Sequence, residues 1–593
     1  MSSKPFRAPS MASFFDNLRS SRLRAAFRRG ELALVVLAVF VGAAAGLFVS
    51  LIGAVTTALH VVIFGVERLS SSALSGWIVL VGPLAGGIIL GVMIFVISRT
   101  RKKPMIDPIE ANALHGGRLS LTDSVIVCVQ NIISNGFGAS VGLEAGYTQV
   151  ASGIASKLGL NLKLRRGDMR ILVGCGAAGA IAAAFNAPLT GAFYAIELII
   201  GTYTVVTLAP LIVSALVATI VTGLLSQHGL SIDILGSSTV TPPDYVPAIF
   251  LGAVCAGIGI ILMQAVSFIE ETARKSRIPI WLRPAIGGIA VGALAMISPQ
   301  VLSSGHGALH INLNADMTIA GLAGLFLLKA SASAISIGSS FRGGLFFASL
   351  FMGSLLGKIF ALCAPYIGYG DTQPVVYAVI GMSAFAAAII GGPLTMTFLA
   401  LELTGDFQIT VLVLAAVITT SLVVRTTFGY SFATWRFHLR GESIRSAHDI
   451  GWIRDLTVGK MMRADIRKER VSIGLPAFKE KYPLGSTQRV IMTHDDGKYA
   501  GIILVPEIYA DPMERDSGSI SLETYLRYKT DVLLPTMNAR QAAAAFDATE
   551  SEALAVVNDK IENRPVGQLT ESHTLRRYSE ELEIRRRESS GEI

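Results

Sequence analysis

Apolar residues make up 52% of this 593-residue chain, which carries 50 Lys and Arg against 42 Asp and Glu. Its mean hydropathy is +0.57. Apolar stretches of membrane-spanning length fill roughly the first 430 residues, whereas the last 150 or so have none. These features exclude a wholly soluble protein. We therefore attribute the net charge of +8 to basic residues that orient the protein in the membrane, and we disfavour nucleic-acid binding.

The N-terminal segment, residues 1–30, carries seven Lys or Arg and one acidic residue before a long apolar run. It has no small-residue cleavage site, so we interpret it as a retained cytosolic segment and not as a signal peptide. Further basic clusters lie at 99–103, 163–170 and 274–277. By the positive-inside rule they predict cytosolic loops, and we expect a multi-pass protein of the cell inner (plasma) membrane with both termini cytosolic.

Several apolar runs meet or approach the roughly 20 residues that a membrane-spanning helix needs. They lie at 32–64, 76–98, 204–226, 246–267, 283–300, 318–338, 374–402 and 409–424. Other runs are shorter and are broken by Gly and Pro. The sequence therefore predicts a membrane domain over residues 31–441.

An internal repeat relates residues 176–198 to residues 381–403. Both copies contain Pro-Leu-Thr, and Glu197 in the first copy falls in register with Glu402 in the second. Apolar composition alone does not explain such a series of matches. The membrane domain is therefore predicted to consist of two related halves.

Each copy of the repeat places a turn-compatible segment and a proline inside apolar sequence, which interrupts a spanning helix. In lipid such breaks persist only where they line a protein-enclosed cavity. Half-helices that end near the midplane present N–H groups and positive dipole ends to anions. Close helix packing accounts for most individual alanines. We interpret Glu197 and Glu402 as buried structural carboxylates that accept hydrogen bonds from backbone or hydroxyl donors.

A glycine-flanked segment precedes each copy of the repeat. The two segments are Gly142-Leu143-Glu144-Ala145-Gly146 and Gly343-Gly344-Leu345-Phe346-Phe347-Ala348. They resemble the Gly-Arg-Glu-Gly-Pro and Gly-x-Phe-x-Pro motifs of the CLC family of chloride channels and proton-coupled anion exchangers. The resemblance covers about residues 30–440 by motif order.

The resemblance assigns a gating role to Glu144. Its carboxylate would occupy an anion site, compete with chloride and leave when protonated, which links anion passage to pH. A carboxylate paired within a helix bundle is the alternative interpretation. The expected anion-binding positions, through backbone donors or lining groups, are Gly142, Leu143, Gly344, Leu345 and Phe346.

Two hydroxyl groups of the family's anion site are missing from this sequence. Met105 stands in place of the serine and lines the expected path, and Ala433 stands in place of the central tyrosine, unless a register slip brings Tyr430 or Phe432 there. Chloride preference is therefore not assured. A methionine also occurs at the serine position in fluoride-exporting members, although the glutamate motif and the long tail are unlike that branch.

The proton-relay position of the family's exchangers is occupied by Leu198. Exchangers commonly carry a proton-transferring glutamate there, and the neighbouring Glu197 projects about 100° away around a helix. The sequence slightly favours a channel over an exchanger for this reason, although some exchangers also lack this glutamate.

The remaining reactive side chains do not predict a metal site or an enzyme. The four cysteines lie singly in apolar stretches, and the histidines show no ligand spacing. Ser140 lacks the glycine that usually follows a serine nucleophile and has no convincing partner histidine, which disfavours an intramembrane enzyme.

The C-terminal part changes to short strands and amphipathic helices of mixed charge. Residues 489–509 and 554–575 resemble each other and follow a strand, turn, strand and helix order typical of tandem CBS domains, which CLC proteins often carry. The predicted boundaries are 442–578 for the pair, about 458–511 and 530–577 for its members, and 579–593 for a charged tail. The pair either binds an adenine nucleotide or serves as a packing module for dimerisation.

The sequence thus predicts an all-α polytopic CLC-type membrane protein of about 18 helical segments in two inverted repeats, with an α/β CBS-type pair. The resemblance also implies a homodimer embedded in lipid, with no required cofactor. The expected function is passive or proton-coupled transport of small monovalent anions, most of all chloride. Fluoride or nitrate transport on the same scaffold, and a membrane sensor with a ligand-binding tail, are the alternatives.

Overall fold

The structure is a computed structural model, and it divides the chain into two compact units, Met1–Asp449 and Ile450–Ile593. It describes residues 31–71, 74, 76–101, 105–225, 232, 241–367, 372–439, 456–510, 521–559 and 561–590. The predicted cytosolic segment 1–30 and the predicted start of the tail at 442–455 lie outside the described residues.

The described part of the first unit is helical. Its helices are α1 (Glu31–Phe64), α2 (Ile78–Thr100), α3 (Pro108–Leu114), α4 (Leu121–Gly136), α5 (Glu144–Leu162), α6 (Arg166–Phe185), α7 (Pro188–Tyr194), α8 (Val205–Leu225), α9 (Tyr245–Lys275), α10 (Arg283–Ile297), α11 (His306–Asn314), α12 (Ile319–Gly338), α13 (Phe346–Cys363), α14 (Pro374–Ile390), α15 (Pro393–Thr404), α16 (Phe407–Thr427) and α17 (Phe432–Leu439). A π-helix, Ala195–Ile200, follows α7.

Eight helices in the described residues are long and apolar enough to cross a membrane. They are Leu32–Phe64, Ile78–Thr100, Arg166–Phe185, Val205–Leu225, Pro242–Lys275, Ile319–Gly338, Phe346–Tyr366 and Phe407–Arg436. Most coincide with predicted runs, and the chain is a polytopic membrane protein. Helices α6 and α13 are spans that the sequence does not predict, because their Gly, Ala and Ser residues lower the apolarity of these segments while neighbouring helices bury most of their surfaces.

The apolar run 374–402 is interrupted, as the turn segment and proline in the second repeat copy predict. Helix α14 ends at Ile390, Gly391 takes a left-handed conformation with φ 86°, and Pro393 begins α15. The first copy of the repeat breaks in the same way, since Asn186 has φ 55° and Pro188 begins α7. A left-handed residue ends each helix, and a proline starts the next one without losing a hydrogen bond.

The two copies of the repeat pack on each other in opposite directions. The Glu402 carboxylate, near the end of α15, binds the start of α7, and the Glu197 carboxylate, just beyond α7, binds the start of α15. The rings of Phe193 and Phe398 stack between these ends with centroids 4.3 Å apart. The helices are therefore antiparallel, as inverted repeats require.

Two buried lysines of the membrane unit donate hydrogen bonds to backbone carbonyls at the ends of segments. Lys358 Nζ donates to the carbonyl oxygens of Asn312 and Ala315, at 2.7 and 2.8 Å, where α11 ends. Lys329, which is fully buried, donates to the carbonyls of Val301 and Ser303. These amino groups donate to carbonyls that have no helical partner, and burial of the lysines depends on those bonds.

The second unit contains two similar three-stranded sheets. Its elements are α18 (Val458–Met461), β1 (Lys468–Arg470), α19 (Leu475–Lys481), β2 (Arg489–Thr493), β3 (Tyr499–Leu504), α20 (Val505–Ala510), β4 (Val532–Leu533), α21 (Ala539–Thr549), β5 (Ala553–Val557), β6 (Pro565–Thr570) and α22 (Glu571–Ser590). In each sheet the first pair of strands is parallel and the second is antiparallel. The similarity between residues 489–509 and 554–575 therefore corresponds to two sheets of the same topology in a small α/β region.

The two halves of the second unit exchange short segments. Val458 and Met461 pack with Phe546 in the core of the second half. In return, the backbone of Arg527 pairs with Ile502 on β3 in the first half. The predicted first member, residues 458–511, therefore includes helix α18, although α18 packs in the core of the second half.

Candidate functional site

The two glycine-flanked segments of the sequence meet each other in the structure. Gly142 and Gly344 form an isolated antiparallel bridge, in which Gly142 N–H donates to Gly344 O at 2.9 Å and Gly344 N–H donates to Gly142 O at 3.3 Å. Asn131 on α4 supports the pair by donating its side-chain amide to the Gly142 carbonyl at 2.9 Å. This bridge fixes the starts of two helices from opposite halves of the chain.

Helices α5 and α13 begin two residues beyond the bridge, at Glu144 and Phe346. Their first turns carry N–H groups without helical acceptors and the positive ends of the helix dipoles. Since the bridge holds both starts together, the two positive ends converge on one region. Converging helix N-termini favour an anion.

The Glu144 carboxylate occupies this region. The side chain is 5% exposed, and its carboxylate faces the backbone N–H groups of Glu144 and Phe347. Among the described residues, Oε2 has no hydrogen-bond partner. The same atom lies against Gly142, where any side chain would collide with it. A carboxylate thus lies where the helix dipoles favour an anion, with part of its hydrogen-bonding capacity unused.

A cavity of about 480 Å³ opens beside this carboxylate. Seven of the residues selected from the sequence line it, although they come from five separate segments of the chain. They are Met105, Glu144, Leu198, Gly344, Leu345, Phe346 and Ala433. Phe432 also lines the cavity, next to Ala433.

Two selected residues are absent from the cavity lining. The Gly142 N–H, predicted as a donor to an anion, donates to Gly344 O in this structure. The Leu143 side chain packs with Ile52 and Cys128 in a separate apolar cluster, because successive residues at a helix start project in different directions. Neither residue lines the cavity in the described structure.

Comparison with known proteins decides the family. Residues 86–425 match the family model of the voltage gated chloride channel. The chain belongs to the CLC family. It is 32% identical over 356 residues to a protein of Ralstonia nicotianae described as a ClcB-like chloride channel protein, covering 59% of this chain and 83% of that protein. It is 27% identical over 362 residues to the voltage-gated ClC-type chloride channel ClcB of Shigella flexneri, covering 60% and 86%.

Solved structures share the fold at lower identity. A slow cyanobacterial Cl⁻/H⁺ antiporter superposes with a TM-score of 0.60 at 22% identity, over 69% of this chain and 97% of that one. A CLC-type fluoride/proton antiporter gives 0.57 at 20% identity, over 67% and 96%. A eukaryotic CLC transporter gives 0.58 at 18% identity, over 91% and 97%. The last superposition extends into the second unit, because the first ends at Asp449.

The CLC-type cavity of this chain contains polar residues that the sequence analysis did not select. They are Asp107, Asn131, Thr148, Gln149, Tyr194, Glu270, Ser340, Arg342 and Arg436. Arg436 and Glu270 form an ion pair at 3.5 Å. Two of these residues stand close to selected positions. Asp107, two residues after Met105, caps α3 by accepting from Glu110 N–H at 2.8 Å, and Arg342 directly precedes the second glycine segment.

Leu198, which the CLC resemblance predicts at the proton-relay position, lies in the π-helix Ala195–Ile200. Leu198 lines the cavity, whereas Glu197 points away and accepts hydrogen bonds from Leu394 and Thr395. Glu197 is half-buried and not fully buried as predicted, but its donors are of the predicted backbone and hydroxyl type. Glu197 is therefore not a substitute for a glutamate at position 198.

The second unit has a small cleft of its own, with a volume of about 150 Å³. Its polar lining consists of Arg463, Thr487, Gln488, Arg489, Gln568, Thr570 and His573. Burial, together with Arg576 and Arg463, lowers the pKa of His573 below its ordinary value. Two arginines line the cleft, and one of them, Arg489, forms an ion pair with Glu552.

Proposed function

We propose that this CLC-family protein carries small monovalent anions, most of all chloride, across the membrane through the Glu144 cavity. The observation that carries the proposal is the convergence of α5 and α13 on one cavity that also contains the Glu144 carboxylate. Backbone groups and helix dipoles bind an anion there without a full positive charge. The names of the relatives, chloride channels and Cl⁻/H⁺ antiporters, support the same substrate.

Glu144 acts as the gate in this proposal. Its carboxylate competes with the transported anion for the same helix ends, and protonation removes that competition. The unpaired Oε2 supports a movable side chain, since a carboxylate fixed in a structural network would use both oxygens. Glu402, whose two oxygens both accept hydrogen bonds, is such a structural carboxylate in the same protein.

Channel activity is favoured over strict proton exchange. Leu198 supplies no proton carrier at the relay position, and Glu197 is engaged by α15. The antiporters among the similar structures make proton-coupled exchange the competing mechanism. Fluoride or nitrate in place of chloride remains the alternative substrate, because Met105 and Ala433 bring no hydroxyl to the cavity.

The decisive experiment uses proteoliposomes loaded with chloride, fluoride or nitrate, with internal pH recorded and a potassium ionophore setting the voltage. Chloride efflux without proton movement is expected for the wild type. Glu144→Gln is expected to abolish the pH dependence of this flux, whereas Glu270→Gln, a second carboxylate in the same cavity, should preserve it. Uphill proton movement driven by the anion gradient would contradict the channel mechanism and establish an exchanger. Absence of anion flux would favour a membrane sensor.

We further propose that the second unit is a CBS-type pair that binds an adenine nucleotide. The repeated sheet topology supports the CBS assignment, as does the superposition with a eukaryotic CLC transporter over 91% of the chain. Sites that enclose whole small molecules have volumes of roughly 300–1,000 Å³. The cleft is smaller, so it suits the phosphate groups of the nucleotide and not the whole molecule. Arg463 in its lining matches phosphate chemistry. The test measures ATP binding to the full-length protein, and Arg463→Ala is expected to abolish it. Unchanged binding in this variant, or no binding in the wild type, would favour a packing module.

A homodimer in the inner membrane, with both termini cytosolic, completes the proposal. Apolar side chains on α8 and α16 are exposed in the single chain, for example Ile220, Leu224 and Leu422, and they fit lipid or a second copy. Basic residues lie in the last turns of α2 and α9, which supports cytosolic ends for both helices. Mass measurement in detergent and protease accessibility in sealed vesicles test these two features separately.

A further inference from the structure

The cavity offers few free side-chain donors for an anion. Three of its polar side chains are already committed to backbone carbonyls. These bonds run from Asn131 Nδ2 to Gly142 and Arg342 at 2.9 and 3.0 Å, from Gln149 Nε2 to Ile106 at 2.9 Å, and from Thr148 Oγ1 to Glu144 at 2.8 Å. The two uncharged lining residues that keep a hydroxyl without a hydrogen bond in the described structure are Tyr194 and Ser340.

Tyr194 is the better placed of these two hydroxyls. It is the last residue of α7, and its ring centroid lies 6.0 Å from that of Phe346, the first residue of α13. Its phenol is close enough to both Asp107 and Glu144 to interact electrostatically with them. It therefore lies beside one converging helix start, near the gate and near the segment that carries Met105.

The position of Tyr194 is fixed independently of any anion. Its helix begins at Pro188, and its first N–H groups bind the Glu402 carboxylate from the opposite half of the chain. The Phe346 ring that it contacts is in turn packed on Phe185, with centroids 4.8 Å apart. A rigidly held donor loses little entropy when it binds a ligand.

We propose that the Tyr194 hydroxyl donates a hydrogen bond to the transported anion, and so replaces the hydroxyls that are absent at Met105 and Ala433. The inference rests on the proposed transport function and identifies a residue that determines its anion affinity. A phenol donates one O–H and carries no charge, so it stabilises a chloride-sized anion without trapping it. The donor comes from the first half of the chain, next to the relay position, and not from α17.

The test compares Tyr194→Phe with Ser340→Ala in the full-length protein. Each change removes one cavity hydroxyl, and the Phe variant keeps the ring that packs on Phe346. Chloride binding is measured by isothermal titration in detergent, and chloride efflux is measured in proteoliposomes. Tyr194→Phe is expected to weaken chloride binding by about tenfold, the effect of one hydrogen bond to a charged group. Ser340→Ala is expected to bind chloride like the wild type.

The outcomes separate this inference from the proposed function. If the wild type binds and transports chloride and Tyr194→Phe retains wild-type affinity, the Tyr194 inference is overturned while the transport function stands. Tyr194→Phe with normal chloride affinity but altered proton movement would also overturn it, because the phenol would then act on protons. A wild type without chloride binding or flux overturns both proposals.

Discussion

Thr190 donates both its backbone N–H and its hydroxyl to Glu402 Oε2, at 2.8 and 2.6 Å. The other half of the chain repeats this arrangement, since Thr395 donates the same two groups to Glu197 Oε2 at 2.8 and 2.6 Å. The carboxylates thus bind the positive ends of each other's helices across the repeat interface. This reciprocity explains why Pro-Leu-Thr and a glutamate recur together in the sequence.

Removing either carboxylate should destabilise the membrane unit. Glu402→Gln replaces an acceptor oxygen by an NH₂ group that faces backbone donors, and the expected loss is about 1–3 kcal/mol of unfolding free energy. Glu197→Gln should cost a similar amount, because its bonds are equivalent. Thermal unfolding in detergent measures both. Glu271→Gln, which removes an exposed ion pair with Lys275, is the control and should leave the melting temperature nearly unchanged.

A side chain at Gly142 should displace the gate. An alanine methyl group there would collide with Glu144 Oε2, so Gly142→Ala is expected to drive the carboxylate from the helix ends and raise chloride flux at neutral pH. Gly344→Ala is the matched control on the other side of the bridge, since its methyl group would lie 3.9 Å from the same oxygen. Equal fluxes in the two variants, measured by efflux from proteoliposomes, would contradict the gate position.

Restoring a hydroxyl at position 105 should change anion selectivity. Met105→Ser shortens a side chain that lines the cavity and supplies the donor that the CLC resemblance predicts there. Chloride flux should rise relative to nitrate flux by a few-fold, as expected for one neutral donor of about 1 kcal/mol. Met105→Ala controls for the change in volume. If serine and alanine give the same selectivity series, the hydroxyl does not reach the anion.

A carboxylate at position 198 should supply the missing proton carrier. Leu198 faces the cavity, so Leu198→Glu places a titratable group there, whereas Leu198→Gln has nearly the same shape and cannot titrate at neutral pH. More protons moved per chloride by the Glu variant than by the Gln variant are expected in pH-monitored vesicles. Identical proton movement in the two would show that position 198 is not on a proton route.

The sequence alone determined the class of the fold, because membrane-spanning apolar runs and an internal repeat follow from local composition. It also selected Glu144, Met105, Leu198 and Ala433, which come from distant segments and line one cavity. It missed α6 and α13 as spans, since small residues lower apolarity while burial by neighbouring helices does not show in a single segment.

Only the tertiary structure decided which groups face the cavity. The Gly142 N–H donates to Gly344 O, although the sequence predicts it as a donor to an anion. Tyr194 lies in an apolar repeat copy where nothing marks it as polar lining, and it reaches the cavity because the Glu402 carboxylate fixes the start of its helix. Periodicity predicts which segments are helices, whereas the direction of each polar atom depends on contacts between residues hundreds of positions apart.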